Sequence, residues 1–355
     1  RMEVTDFAAL IFNPVAQVKF VHTVAAGYVT GSIFVLAISS WYLLKKRDLG
    51  FARRSFAIAS AFGLASILSV IVLGDESGYE IGDVQKTKLA AIEAEWHTEE
   101  APAAFTLIGL PNMATHSTDY AIKIPYAMGI IATRSLDTEV TGIKDLIDQH
   151  EVRIRNGIIA SERLAVLRAG DRTEENIALF DEVKDDLGYG LLLKRYTENI
   201  SDATEAQIKQ AAADTIPHVP SIFWAFRLMV GAGFLMLLLF VLAFWASTKH
   251  NQEHKPWLLK FALICLPLPW VAVQTGWYVA EVGRQPWSIG EVLPTFLSAS
   301  SLTTADVWGS IIAIASIYTV LIIIEMFLMI RFARKGPSCL HTGRYHFEQD
   351  AQKNS

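Results

Sequence analysis

The sequence predicts an all-α fold: a polytopic transmembrane helix bundle with a large, mainly helical external loop. Three observations carry that prediction. The 355 residues are 52% hydrophobic and only 19% charged, whereas an ordinary soluble domain is roughly a quarter charged. Five stretches are apolar over the length, about 20 residues, that a helix needs to cross a bilayer. Between the second and third lies a long polar interval whose charged stretches read as helices.

The elements follow in order. Residues 1–74 hold two spans, Val15–Leu44 and Phe56–Gly74, joined by the basic loop "KKRDLGFARR". Residues 75–218 form the external loop. Its opening "LGDESGYEIGDVQKTKLAAIEAEW" reads as a solvated charged run beside a membrane edge, with Asp83 able to N-cap a helix from Val84. Residues 219–335 hold three more spans, Ile222–Ala246, Trp257–Val282 and Val307–Ile330, and 336–355 form a tail. Pro267 and Pro269 bend the fourth span, and Pro286 ends its helix, because proline supplies no N–H to the ladder.

Positive charge sets the orientation. Lys45, Lys46, Arg47, Arg53 and Arg54 follow the first span, Lys249 and Lys255 the third, and Arg331, Arg334 and Lys335 the fifth. The short connection from Val282 to Asp306 carries only Arg284. That places the tail in the cytoplasm and the large loop outside. A net charge of −5 gives no footprint for nucleic acid, and Cys265 and Cys339 have no partners at disulfide, zinc or c-type haem spacing. The sequence begins at Arg1 without a leader pattern, so the expectation is a processed chain or part of a longer one.

Ionisable side chains within spans cost about 2.5–3.5 kcal/mol on insertion scales and so ask for a function. His22 is followed by Ala25, Ala26, Gly27, Gly31 and Ser32. It fits close helix packing with a hydrogen-bonding histidine, and it also fits a haem ligand. In "IFWAFRLMVGAGF", Arg227 and Met229 point to nearly opposite sides of a helix. Arg227 can snorkel to the interface or serve a propionate, and Met229 can fill core space or ligate iron. Trp277, Glu281 and Arg284 share one stripe. They read as an interfacial belt with an intrahelical ion pair, or as the wall of a metal or redox cofactor.

"NPVAQVKFVHTVAAGYVTG", "DESGYEIGDVQKTKLAAIEAEW", "GYGLLLKRY" and "GRQPW" together resemble subunit I of the bacterial cytochrome bd-type quinol oxidases, with a long external loop similar to the proteobacterial form. The resemblance covers essentially the whole chain. It implies that His22 and Met229 are the axial ligands of the low-spin haem b558, with Arg227 beside that haem. It implies that Glu281 ligates the high-spin haem b595, that Trp277 lies between haems, and that Arg284 offsets charge near the di-haem site. Lys88 and Glu93 are implied in ubiquinol oxidation. Family members carry about four further helices ahead of the position of Arg1, with the haem d ligand among them, so the chain is expected to match the C-terminal two thirds of the subunit.

The implied activity is electrogenic: ubiquinol is oxidised at the periplasmic face and oxygen reduced to water, generating a proton motive force. The implied setting is the bacterial inner membrane, with subunit II, small accessory subunits and lipid as partners. The alternative is a non-redox transporter or structural subunit that uses Glu281 and Arg284 as a buried pair.

Overall fold

The computed structural model describes residues 6–101, 103–128, 134, 135, 137 and 139–337. The tail from 338 onward, with Cys339, lies outside them. Two compact units are present: Arg1–His22, Ile71–Ala232 and Val271–Ala299 in one; Thr23–Val70, Gly233–Trp270 and Ser300–Ser355 in the other.

The helices begin where capping chemistry allows. A short α1 (Phe7–Ile11) is capped by Asp6, whose carboxylate accepts from the N–H groups of Ala8 and Ala9. The first long helix, α2 (Pro14–Leu44), has proline at its first position, where no N–H is needed, and Asn13 accepts from Ala16 N. Next comes α3 (Leu49–Val84), whose 36 residues give a length of about 54 Å. That exceeds the apolar stretch ending at Gly74, and it corrects the expected cap at Asp83. No proline interrupts 75–84, so the helix runs on through Val84 and breaks at Gln85 (φ −143°, ψ 59°).

The short α4 (Lys86–Glu93) follows and ends on Ala94 in the left-handed region (φ 53°), whose N–H turns back to the carbonyls of Ala90 and Ala91. A non-glycine residue there costs about 1–2 kcal/mol. Burial holds it, since Ala94 is packed in the core beside Ala90, Ala91, Ile92 and Trp96.

The polar segment between the second and third spans is mainly helical, as expected, but after α4 it forms an antiparallel hairpin that the periodicity did not announce. Its strands are β1 (Phe105–Asn112) and β2 (Ser117–Ile124). Then come α5 (Ile143–Arg168), α6 (Glu174–Val183, capped by Thr173), α7 (Leu187–Leu191) and α8 (Glu205–Ala213). A reciprocal capping box between Thr204 and Gln207 starts α8. The core of this segment joins Ile154, Tyr189, Leu192, Leu193, Ile208 and Trp287.

The chain re-enters long apolar helices with α9 (Val219–Thr248), then α10 (Pro256–Ile264) and α11 (Leu268–Val282). The interruption between α10 and α11 is the bend expected at Pro267. Contrary to expectation, α11 stops at Val282, four residues before Pro286, and Arg284 lies just beyond its end. A small hairpin, β3 (Trp287–Ile289) with β4 (Leu293–Pro294), leads to α12 (Thr304–Lys335). The five candidate spans agree with those read from the sequence.

Within the second unit the aromatic Phe240 lies over Gly63, where a β-carbon would collide with its ring. The basic loop after α2 has structural work there. Arg47 donates to the carbonyls of Arg334 (2.9 Å) and Lys335, and Tyr42 Oη donates to Ala333 O (2.5 Å). These donors satisfy the last carbonyls of α12, which have no partner within the helix.

Candidate functional site

The site is built around α4. Its Ala90, Ala91 and Ile92 pack against Val219, Ile222, Phe223 and Ala225 of α9, Val279 of α11, and Ile143 and Leu146 of α5. Small residues on this face let the helix lie close. Two ionisable side chains are carried into the interior with it: Lys88 is 4% exposed and Glu93 is 5% exposed.

At the C-terminal end of α4, Glu93 meets Arg227 of α9, with Nη2 to Oε2 at 3.0 Å. Arg227 does not snorkel. Its Nη1 donates to Ile92 O (2.6 Å) and Phe223 O (3.3 Å), its Nε to Leu107 O (3.2 Å), and its Nη2 also to Thr106 O. A guanidinium has five N–H donors, and all five are directed at protein acceptors. Its plane also sits over the Phe223 ring, 3.4 Å from the centroid. Arg227 therefore ties α4, α9 and β1 together.

At the N-terminal end of α4, Lys88 donates to Ala280 O of α11 (3.3 Å). A β-carbon built at Gly283 would stand 3.0 Å from Lys88 Cγ, so only glycine leaves the lysine stem this room. Next to that carbonyl, Glu281 receives Arg284 Nη2 at 2.5 Å. Arg284 also donates to Ser288 O (3.0 Å), which folds the chain back after α11.

Burial shapes the proton affinities on α4. Burial pushes the Glu93 carboxyl up to about 7, against the opposing charge of Arg227. Lys88 is pushed down to about 8, first by burial and then by the positive charges of Lys19 and Arg284, with Glu281 opposing. Glu95, two residues beyond Glu93, is also raised to about 7 by burial and by Glu99, against Lys123. Desolvation favours the neutral form of each group, so all three side chains can exchange protons near neutral pH.

The other expected residues fall as follows. His22 of α2 lies against α3, its Cε1 3.4 Å from a β-carbon built at Gly74. Met229 of α9 lies against α11, its Sδ 2.8 Å from a β-carbon built at Gly276. The glycine thus admits the thioether between the helices. Trp277 is 64% exposed and lines an open cavity of about 430 Å³ with Ser221, Ala225, Leu228, Gln274, Thr275 and Tyr278.

A family model described as "Cytochrome bd terminal oxidase subunit I" matches residues 1–337. The chain belongs to that family. It is 45% identical over 342 residues to "Cytochrome bd-II ubiquinol oxidase subunit 1" of Escherichia coli (strain K12), covering 96% of this chain and 66% of that protein. It is 28% identical to "Cytochrome bd ubiquinol oxidase subunit 1" of Bacillus subtilis (strain 168), covering 95% of this chain and 60% of the relative. Among solved structures, a chain of "The structure of bd oxidase from Geobacillus thermodenitrificans" shares the fold with a TM-score of 0.66 at 24% identity, covering 94% of this chain and 61% of that one. The chain thus spans 60–66% of the length of these relatives.

Membership of the cytochrome bd subunit I family leaves the transporter reading without support. The Glu93–Arg227 pair is the contact that motif reading missed. Its members stand 134 positions apart, and no local spacing announces it. A second missed cluster lies on α5, where Arg153 joins Asp186, Tyr189 and Glu291.

Proposed function

We propose that this chain is the haem-bearing subunit of a bd-type terminal oxidase that oxidises ubiquinol at the periplasmic face of the bacterial inner membrane and passes the electrons to oxygen. The observation that carries the reading is α4 itself: a helix with a buried lysine and a buried glutamate, one bonded beside Glu281 and the other to an arginine two residues from Met229. Quinol oxidation releases two electrons and two protons. Glu93 accepts a proton from a quinol hydroxyl, since its carboxylate and carboxylic acid are close in free energy near pH 7. Lys88 donates a hydrogen bond to a ring oxygen and orients the head group. Arg227 holds Glu93 at the end of α4 and balances its charge while it is ionised.

The donor types fit haem. An imidazole (His22) and a thioether (Met229) are donors that would hold a low-spin haem and raise its potential, and Gly276 across the helix contact leaves room for the thioether. Glu281 is a half-exposed carboxylate that can ligate a high-spin haem while Arg284 offsets its charge. Haem, when bound, supplies one-electron redox chemistry. In this reading the low-spin group is haem b558, the high-spin group is haem b595 with Trp277 beside them, and none of these residues ligates haem d. Residues 75–218 form the quinol-binding periplasmic loop, and the basic loops and the tail lie in the cytoplasm. Subunit II and small accessory subunits complete the assembly.

Purified oxidase carrying variants of this chain tests the assignment. His22→Ala is expected to remove the low-spin haem signal from the reduced-minus-oxidised spectrum. Glu281→Ala is expected to perturb the high-spin signal with the low-spin one intact. A wild-type spectrum and full haem content in both variants would overturn the reading.

A further inference from the structure

The motif "GYGLLLKRY" (Gly188–Tyr196) has no part in the proposed chemistry, yet five of its residues, Gly188, Tyr189, Gly190, Leu192 and Leu193, are buried. Gly188, Tyr189 and Gly190 of α7 are all buried. A β-carbon at Gly190 would collide with the Gly157 backbone of α5, and one at Gly188 with the carbonyl of Glu291. The glycines therefore let α7 touch backbone on both sides.

Tyr189 occupies the middle of that contact. Its ring stands edge-on to Trp287 at 5.1 Å and tilted to His150 at 5.2 Å. Its Oη donates to Glu291 Oε1 (3.2 Å) and accepts from Arg153 Nη1 (3.2 Å). The same Arg153 nitrogen reaches Glu291 Oε2 (2.8 Å), while Nε bonds Asp186 Oδ1 (2.5 Å). The Arg153 guanidinium lies over the Tyr189 ring, 4.1 Å from its centroid. Behind the ring, the Thr215 hydroxyl donates to Ala212 O (2.6 Å), so His150 Nδ1–H is the donor to Thr215 Oγ1 (2.7 Å). Burial and the neighbouring Arg153 push His150 down to about 4, which keeps it neutral and the network in one state.

What the network holds is the tip of the β3–β4 hairpin. Glu291 sits at that tip with φ 59°, a left-handed conformation unfavourable for a residue with a β-carbon. Trp287, at the other end of β3, has its N–H bonded to Arg284 O (3.0 Å). Arg284 in turn holds Glu281, and Gly283 receives the stem of Lys88. The order of contact is thus α5 and α7, then Glu291 and Trp287, then Arg284, then Glu281.

We propose that Tyr189, Arg153 and Glu291 form a clamp that positions the "GRQPW" turn, so that the external loop sets the geometry of the Glu281–Arg284 pair and through it the high-spin haem. These are positioning residues; none touches a reacting atom. The inference rests on the assignment of Glu281 as a haem ligand. Residues that orient a ligand from behind change metal affinity or activity about 10–100-fold when removed.

The test uses the assembled oxidase with Tyr189→Phe, Glu291→Gln and, as control, Glu205→Gln, which breaks the exposed Arg155–Glu205 pair anchored on the same α5. Tyr189→Phe keeps the ring stack and loses only the hydroxyl. The expected result for the first two variants is a shifted high-spin haem spectrum and midpoint potential, an unshifted low-spin spectrum, and amide exchange across residues 284–294 faster by about ten-fold, the worth of one lost hydrogen bond. The control is expected to match wild type in all three. Unchanged exchange and an unchanged high-spin signal, with Glu281→Ala still removing that signal, would overturn the clamp. Loss of both haem signals together would also overturn it, as the network would then merely hold the fold. If Glu281→Ala leaves the high-spin signal intact, the ligand assignment fails first and the clamp fails with it.

Discussion

Two arginine–glutamate pairs stand within the same unit and differ in almost everything except their chemistry. Arg227 and Glu93 meet at 3.0 Å with side chains 9% and 6% exposed; Arg284 and Glu281 meet at 2.5 Å with side chains 42% and 38% exposed. The shorter contact is the weaker one. Water solvates both members of the exposed pair whether or not they touch, so such a bridge is worth about 0–1 kcal/mol. The buried pair has given up that solvation, and each member depends on the other. Burial, not distance, separates a pair that holds the structure from one free to exchange partners, and the second suits the iron-ligand role proposed for Glu281.

The largest effect expected from breaking this contrast is at Arg227. Arg227→Ala leaves Glu93 buried beside an empty space, and removing one partner of a buried pair costs about 3–5 kcal/mol. Thermal melting of the solubilised complex measures it. Arg227→Met with Glu93→Gln is expected to recover most of the loss, because no uncompensated charge remains. A melting point for Arg227→Ala no lower than that for Arg284→Gln would erase the difference between the pairs.

Lys88 sits between the pairs and is the next in size. Lys88→Met keeps most of the stem's volume and removes the ammonium, so kcat/KM for ubiquinol is expected to fall about ten-fold, the worth of one charge-assisted hydrogen bond. Stability moves the other way with pH. Burial lowers Lys88 from 10.5 to about 8, so its contribution is present above the upper value and is lost as pH falls through about 8. The variant is therefore expected to gain in melting temperature relative to wild type as the pH is lowered from about 10.5 to about 8. A constant difference across that range would show that the buried ammonium carries no such cost.

The smallest effect on stability is expected at the exposed pair. Arg284→Gln should cost no more than about 1 kcal/mol, and that cost should shrink in high salt. Its signature belongs in the spectrum instead, as a shift of the high-spin haem. A loss of several kcal/mol would place Arg284 in the same class as Arg227.

How much of this was legible in the sequence follows from the same contrast. The Glu281–Arg284 pair was readable because its members lie three positions apart, within one turn. The five spans were readable from apolar length alone. The partner of Arg227 was not, since Glu93 comes from the end of a separate helix whose docking depends on Ala90, Ala91 and Phe223 packing together. The β1–β2 hairpin was missed because Gly109, Pro111 and two register shifts blur its alternation. The left-handed turn at Ala94 carries no glycine to mark it. The clamp at Tyr189 joins residues up to 138 positions apart. Local patterns report helices and their neighbours; contacts fixed by how helices dock leave no such trace.

The central claim is that Glu93, held by Arg227, takes the proton of the quinol. Glu93 is raised from 4.5 to about 7, so its contribution to stability is full below the lower value and is lost as pH rises through about 7. The ionised form, which alone can accept a proton, grows over the same interval. The deciding measurement is stopped-flow reduction of the low-spin haem by ubiquinol between pH 5.5 and 8.5, a window about 1.5 units either side of that value, for wild type and Glu93→Gln in the assembled oxidase. The account predicts a wild-type rate that rises with a midpoint near 7, and a variant about 100-fold slower that lacks this rise and keeps the haem spectrum intact. A variant with wild-type rate and the same pH profile would contradict it.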